Sequence, residues 1–236
     1  VPRLLVINPN TTASITALAA RHVRATVGED FEIVTATAGF GCAYIASEAC
    51  YAIAEHAALE CFAEHGNECD AVLLACFGDP GLFALREVSR APVVGLAEAS
   101  MHAAAERGGR FAIVAGGERW KPMLERFAAT LGYRERLAAV RTVPLTGGEI
   151  AASPEPALAL LASACAAAAD EDGADEVILG GAELAGLAER IQPRVWVPLL
   201  DSVVVGAQRA AALCRARHER DGASSGVSAA LGRLLA

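Results

Sequence analysis

The stretches "DAVLLACFGDPG", residues 70–81, and "DEVILGGAELAG", residues 175–186, share one shape: an acidic residue, an apolar run and a turn that ends in glycine. Asp70 to Cys76 is six positions, and Asp175 to Gly181 is also six. The first copy therefore carries a thiol where the second carries bare backbone. The likeness runs on into "APVVGLAEAS" and "VWVPLLDSVV": Asp70 to Pro92 is 22 positions, Asp175 to Pro198 is 23. Strand, turn, short helix, strand and helix recur with a one-residue slip. The period is half the chain, not the roughly 20–50 residues of a solenoid. Two similar lobes follow, residues 1–97 joined by a returning helix from about 201–236, and residues 98–200.

The rest of the chain fits this reading. Short apolar runs fall at Arg3–Ile7, Phe31–Thr37, Ala71–Cys76, Pro92–Leu96, Arg110–Val114, Ala138–Val143, Glu176–Leu179 and Val195–Leu199. Helical patterns fall at Thr12–Val27, Ser47–Gly66, Gly81–Val88, Ala97–Arg107, Lys121–Leu131, Pro154–Asp170, Ala185–Ile191 and Ser202–Arg220. Continuous apolar strands alternating with helices predict an α/β fold with mainly parallel, Rossmann-like sheets. Ligands of such sheets bind beyond the carboxyl ends of the strands. Two facing lobes would aim those ends into one cleft, with Cys76 on one side and Gly181 on the other. The tail "DGASSGVSAALGRLLA" breaks at Gly/Ser and then turns amphipathic, which fits a docking helix or a frayed end, with docking the preferred reading.

Composition narrows the function. The 236 residues are 54% hydrophobic and 20% charged, enough apolar content for a buried core and against disorder. The net charge is −8 with no basic patch, so nucleic acid is not an expected partner. Seven cysteines, an odd number in a chain of this size, read as mostly reduced thiols of a cytoplasmic protein. None has zinc-like spacing, and no metal is expected. The chain opens on the strand "RLLVI", so no signal peptide is expected, and no window is apolar enough for a membrane span.

Several turns could carry chemistry. Cys76 ends a strand, and a following helix would aim its N-terminus at the sulfur and lower the thiol pKa. "INPNTT" places Asn10, Thr11 and Thr12 between a strand and a helix, where they can bind a carboxylate or ureido carbonyl, or cap the helix. "VAGGERW" offers the backbone N–H groups of Gly116 and Gly117 but lacks a full dinucleotide fingerprint. Glu98 and His102 stand four apart on one helix face and could tune a thiol, orient a substrate or simply be satisfied locally. Asp201 ends the equivalent strand of the second lobe and allows the same readings. "TAGFGCAYIASEA" is a Gly-rich turn that could close over the cleft, with Ser47 as a helix cap.

Taken together and in order, "INPNTT", the Cys76–Pro80 turn, "PVVGLAEASMHAA", the second glycine turn and "VPLLDSVV" resemble the Asp/Glu/hydantoin racemase superfamily, and within it the hydantoin and allantoin racemase branch. The resemblance covers nearly the whole chain. It implies a homo-oligomer that uses no cofactor and acts on a small hydantoin, ureide or carboxylate. In that family two thiols, one per lobe, serve opposite faces of an acidic carbon. The resemblance makes Cys76 a catalytic acid/base. It assigns substrate contacts to Asn10, Thr11, Thr12, Phe77 and Gly78 and a supporting substrate role to Glu98, while the backbone of Gly116 and Gly117 is added as a substrate contact from the glycine-rich turn itself.

Two departures stand at the site: the "VAGG" turn lacks the threonines that the branch often shows after this strand, and the second turn lacks a thiol. The family's second turn usually reads Gly-Cys-Ala-Gly, and here it reads Gly180-Gly181-Ala182-Glu183. Three explanations fit: a replaced cysteine at 181, a second acid supplied by Glu183, or one-thiol chemistry. The first reading of function is a cofactor-independent racemase or epimerase of a hydantoin- or allantoin-like compound or a related amino-acid derivative; the alternatives are a one-thiol decarboxylase or cis-trans isomerase of a small dicarboxylate, and a binding protein that has lost its chemistry.

Overall fold

The structure, a computed structural model, describes residues 1–223, so the predicted docking of the tail beyond them lies outside the described residues. The first sheet holds β1 (Arg3–Asn8), β2 (Glu32–Thr37), β3 (Ala71–Leu74) and β4 (Val93–Gly95) in the order β2-β1-β3-β4. The second holds β5 (Phe111–Gly116), β6 (Leu137–Val143), β7 (Glu176–Gly180) and β8 (Leu199–Asp201) in the order β6-β5-β7-β8. Every pairing is parallel. The expected α/β architecture is present, and the repeated turns end matching central strands.

Burial explains the strand sequences. Leu4–Ile7 and Ala71–Leu74 are covered on both faces and are wholly apolar. The edge strands β2 and β6 are only partly covered and carry Glu32, Thr35 and Arg141. Around the sheets lie α1 (Ala13–Val27), α2 (Glu48–His65), α3 (Leu82–Val88), α4 (Leu96–Glu106), α5 (Trp120–Thr130), α6 (Gly147–Ala152), α7 (Pro154–Asp170), α8 (Leu187–Ile191) and α9 (Ser202–Ala223). Helix α1 buries Ile15, Ala19, Val23 and Val27, one stripe at four-residue spacing. Helix α9 returns from the second sheet to pack on α1, α4 and β3 of the first.

Two elements depart from the sequence reading. The strand expected at Val195–Leu199 forms instead at Leu199–Asp201. Gln192 is the reason: its amide donates to the carbonyls of Val195 and Val197 and accepts from the Leu199 N–H, holding that run off the ladder. Helix α6 was not expected. Thr146 and Glu149 form a reciprocal capping box that starts it. The cysteines divide as well: Cys42 and Cys50 form a disulfide, and Cys61, Cys69, Cys76, Cys165 and Cys214 are free thiols.

Candidate active site

In each sheet the chain reverses its direction of winding between the two central strands, β1 and β3 or β5 and β7. Loops leaving such a pair diverge and open a crevice at the carboxyl ends. The four loops meet around one cavity lined by Asn10, Cys76, Phe77, Gly116, Gly180, Gly181 and Glu183, with Tyr44, Ile45, Trp120 and Leu124 as further walls. Cys76, Gly181, Glu183, Asn10, Phe77 and Gly116 thus come together. Thr11, Thr12, Gly78, Gly117 and Glu98 do not line it.

Cys76 lies just past the β3 ladder, and Asp79, three residues on, donates its N–H to the Cys76 carbonyl. The sulfur is not aimed at by the start of a helix, because α3 begins only at Leu82. The expected lowering of its pKa is therefore reversed: burial pushes the Cys76 thiol well up, and the charges of Glu183 and Asp79 push it further. At neutral pH Cys76 rests as a thiol.

Glu183 stands on the second turn. Burial raises its carboxyl to about 7, against the opposing hydrogen bond from its own backbone N–H. The carboxyl lies over Gly181: a Cβ at that position would stand 2.8 Å from Glu183 Oε1. Gly181 also has φ +155, outside the range side-chain-bearing residues favour. The Glu183 carboxyl therefore occupies space that a side chain at 181 would need.

Asn10 is fixed by its neighbours. Its Oδ1 accepts from Asn8 Nδ2 at 2.9 Å and from the Thr12 N–H at 2.9 Å. With the oxygen so held, the amide orientation is settled and its Nδ2 donors have no protein partner among the described residues. Thr11 and Thr12 instead hold the loop from residue 38 to 47: the Thr11 N–H donates to the Cys42 carbonyl and the Thr12 hydroxyl to the Ala43 carbonyl. Ser47 caps α2 as expected, accepting from the Cys50 N–H. Phe77 reaches across to the second turn, its ring occupying the space beside Gly180.

Gly117, Gly78 and Glu98, like Thr11 and Thr12, are engaged outside the cavity. Gly117 does not offer its N–H, which is spent on the Val143 carbonyl. Instead Gly116 accepts the Tyr44 hydroxyl on its carbonyl, at 3.1 Å. Gly78 is buried beside Trp120 outside the cavity lining, its carbonyl accepting from the Tyr51 hydroxyl at 2.7 Å. Glu98 lies in a separate groove with Arg86, His102, Tyr133 and Arg209, where it forms a two-armed ion pair with Arg86. His102 meets Tyr133 and Glu106 there, so neither residue reaches the thiol.

Tyr44, Trp120 and Asp79 were not singled out from sequence. Burial of Tyr44, then the charge of Glu183, raise its phenol pKa despite nearby donors from Gly147 and Trp120, so it stays protonated. Asp79 is buried and accepts the N–H groups of Ala97 and Glu98 at the start of α4. Its carboxyl rises to about 7, mainly through burial. The acceptor has room because Gly95 is bare; a Cβ there would stand within bonding range of the carboxyl group. No cluster of three or more potential metal ligands occurs among the described residues. No helix of the described residues is long and apolar enough to cross a membrane.

Comparison with known proteins places this geometry. The family described as Asp/Glu/Hydantoin racemase matches residues 4–210. A hydantoin racemase of Pseudomonas sp. (strain NS671) is 34% identical over 205 residues, covering 86% of this chain and 82% of that one. A hydantoin racemase of Paenarthrobacter aurescens is 32% identical over 225 residues, 94% of this chain and 95% of the other. The crystal structure of an allantoin racemase from Pseudomonas fluorescens superposes with a TM-score of 0.88 at 32% identity, covering 91% of this chain and 92% of that one. The chain belongs to the Asp/Glu/hydantoin racemase family, and so to the isomerases of the racemase type.

Proposed function

We propose that the protein is a cofactor-independent racemase of a hydantoin- or allantoin-like compound, and that Cys76 and Glu183 are its two proton-transfer groups. The carrying observation is the Glu183 carboxyl, which lies over the bare backbone of Gly181 in the cavity that also holds Cys76. Inverting a carbon needs a base and an acid on opposite faces. Cys76 follows β3 of the first sheet and Glu183 follows β7 of the second, which supports placing one group on each side of the substrate.

The resting protonation states suit the roles. With a pKa of about 7, Glu183 is partly ionised at neutral pH, while Cys76 keeps its proton. For one enantiomer the Glu183 carboxylate removes the acidic C–H proton. The C–H electron pair moves toward the ring carbonyl, giving an enolate-like anion. Cys76 then delivers its proton to the opposite face. Glu183 is left protonated and Cys76 a thiolate, the pair of states that the other enantiomer needs. The free Nδ2 donors of Asn10 are suited to the developing negative charge on oxygen. No step requires a cofactor.

The test is a chiral assay of enantiopure allantoin and 5-substituted hydantoins, corrected for spontaneous racemisation. The wild-type enzyme should racemise at least one of them. For the enantiomer whose proton Glu183 removes, kcat/KM should rise as the pH passes about 7 and Glu183 ionises. Absence of racemisation across the panel, with ligand-induced thermal stabilisation retained, would replace this reading with a binding function.

A further inference from the structure

We propose that the Tyr44 side chain is a gate between the cavity holding Cys76 and an outer chamber, and that this chamber receives the substituent on the substrate's acidic carbon. The inference rests on the racemase reading and names a specificity determinant for it.

The inner cavity has a volume of about 20 Å³. That is room for about one water, far below the roughly 300–1,000 Å³ of small-molecule sites. A five-membered ring enters only if a wall moves. Immediately outside lies a chamber of about 410 Å³ that shares two walls with the inner cavity, Tyr44 and Trp120. Tyr44 is the wall with the means to move. Its hydroxyl is held by the Gly116 carbonyl at 3.1 Å, and a Cβ at Gly117 would stand 3.2 Å from the same oxygen. Rotating the phenol away from this latch joins the two spaces.

The backbone beneath Tyr44 is far more constrained. Thr11 and Thr12 hold the carbonyls of Cys42 and Ala43, and the Cys42–Cys50 disulfide closes a ring around Tyr44. Motion is thereby confined to the side chain. The chamber's walls include Ala46, Pro144, Leu145 and Trp120, with Glu118 and Arg119 also lining it. A substituent with an apolar body fits this lining.

The test compares the full-length enzyme with Tyr44→Ala, Tyr44→Leu and Tyr44→Phe on 5-methyl-, 5-isopropyl- and 5-benzylhydantoin. The ratio of kcat/KM for the benzyl and methyl compounds should rise at least tenfold in Tyr44→Ala and move the same way in Tyr44→Leu. Tyr44→Phe keeps the wall and loses the latch, so it should change all three substrates together and leave the ratio alone. A general structural defect would lower every rate without moving the ratio. An unchanged ratio in the alanine and leucine variants, each with a cooperative thermal transition, overturns the gate.

Calorimetric affinities for the same series, measured in Cys76→Ala and Cys76→Ala/Tyr44→Ala, separate this inference from the reading beneath it. If the wild-type enzyme racemises none of the series, the racemase reading fails on these substrates. The gate then stands if the added Tyr44→Ala raises the benzyl-to-methyl affinity ratio tenfold, and falls if that ratio is unchanged.

Discussion

The turns after β3 and β7 close with the same hydrogen bond and end alike, and they differ in how they are held. In the first, the Asp79 N–H donates to the Cys76 carbonyl; in the second, the Leu184 N–H donates to the Gly181 carbonyl. Each turn ends on a left-handed glycine, Gly81 with φ +86 and Gly186 with φ +82. Both are tied to the neighbouring strand and its helix by a carboxylate, but from opposite sides. In the first lobe the carboxylate sits on the turn, as Asp79, and reaches the start of α4, while the strand position opposite is Gly95. In the second it sits on the strand, as Asp201, caps α9 and reaches back to the Gly186 N–H at 2.6 Å.

The register makes the swap explicit. Gly95 pairs with Leu74, and Asp201 pairs with Leu179, at equivalent places in the two sheets. Fold conservation between the lobes therefore needs a carboxylate at this joint but not on a particular strand. What differs is the electrostatic environment of the cavity. Asp79 is buried behind Cys76 and helps hold that thiol protonated. Asp201 is half-buried, and the second turn is free to present Glu183 instead.

The largest expected effect falls on the thiol. Cys76→Ala should lower racemisation by roughly 10³-fold or more, because it removes one of two proton carriers together with any thiol chemistry. A chiral assay of the purified variant checks this. Next comes making the second turn resemble the family pattern. Gly181→Cys alone should be poor, about 10²-fold below wild type, since its Cβ meets the Glu183 carboxyl and the unfavourable φ remains. Adding Glu183→Gly removes the obstruction, and the double variant should recover about tenfold over the single one by restoring a second acid/base. The same assay on the pair of variants decides it.

The swapped carboxylates give smaller, thermodynamic effects. Asp79→Ala leaves two buried N–H groups unsatisfied and should cost about 2–4 kcal/mol, whereas Asp201→Ala, half-buried, should cost about 1–2 kcal/mol. Urea unfolding of both variants compares them. The pH dependence follows from the raised pKa of Asp79. A carboxyl whose pKa rises on folding binds its proton more tightly in the native state, so stability is greatest below the ordinary carboxylate range and declines as pH climbs through about 7. Asp79→Asn cannot titrate and should flatten part of that decline. Denaturation midpoints between pH 4 and pH 8 measure the slope, and an identical slope in both proteins would contradict the assignment.

Much of the molecule was legible before its structure. The buried central strands are continuous apolar runs, and the repeated turn locates the cavity because parallel sheets present their carboxyl ends there. The failures were local. Gln192 displaced β8 through side-chain contacts that no periodicity records, and α6 lay hidden in a short segment whose only signal was Thr146 with Glu149 three residues on. Glu98 and His102 do share a helix face, but spacing along a helix does not say which groove that face borders. The thiol pKa was misjudged because the turn between Cys76 and α3 is five residues long, enough to move the helix start away from the sulfur. Tyr44 was present only as part of a Gly-rich turn; its partner, the Gly116 carbonyl, is 72 positions away.

The proposed mechanism turns on the Glu183 carboxyl of the second turn acting as the partner of the Cys76 thiol. Proton NMR in D₂O, combined with chiral analysis of an enantiopure hydantoin, tests it most directly when wild type and Glu183→Gln are compared. The account predicts that wild type places solvent deuterium at the acidic carbon of the inverted product, and that Glu183→Gln lowers inversion by about 10²-fold or more while remaining folded. Inversion by Glu183→Gln at the wild-type rate would contradict it, and the second proton would then have to come from elsewhere in the cavity.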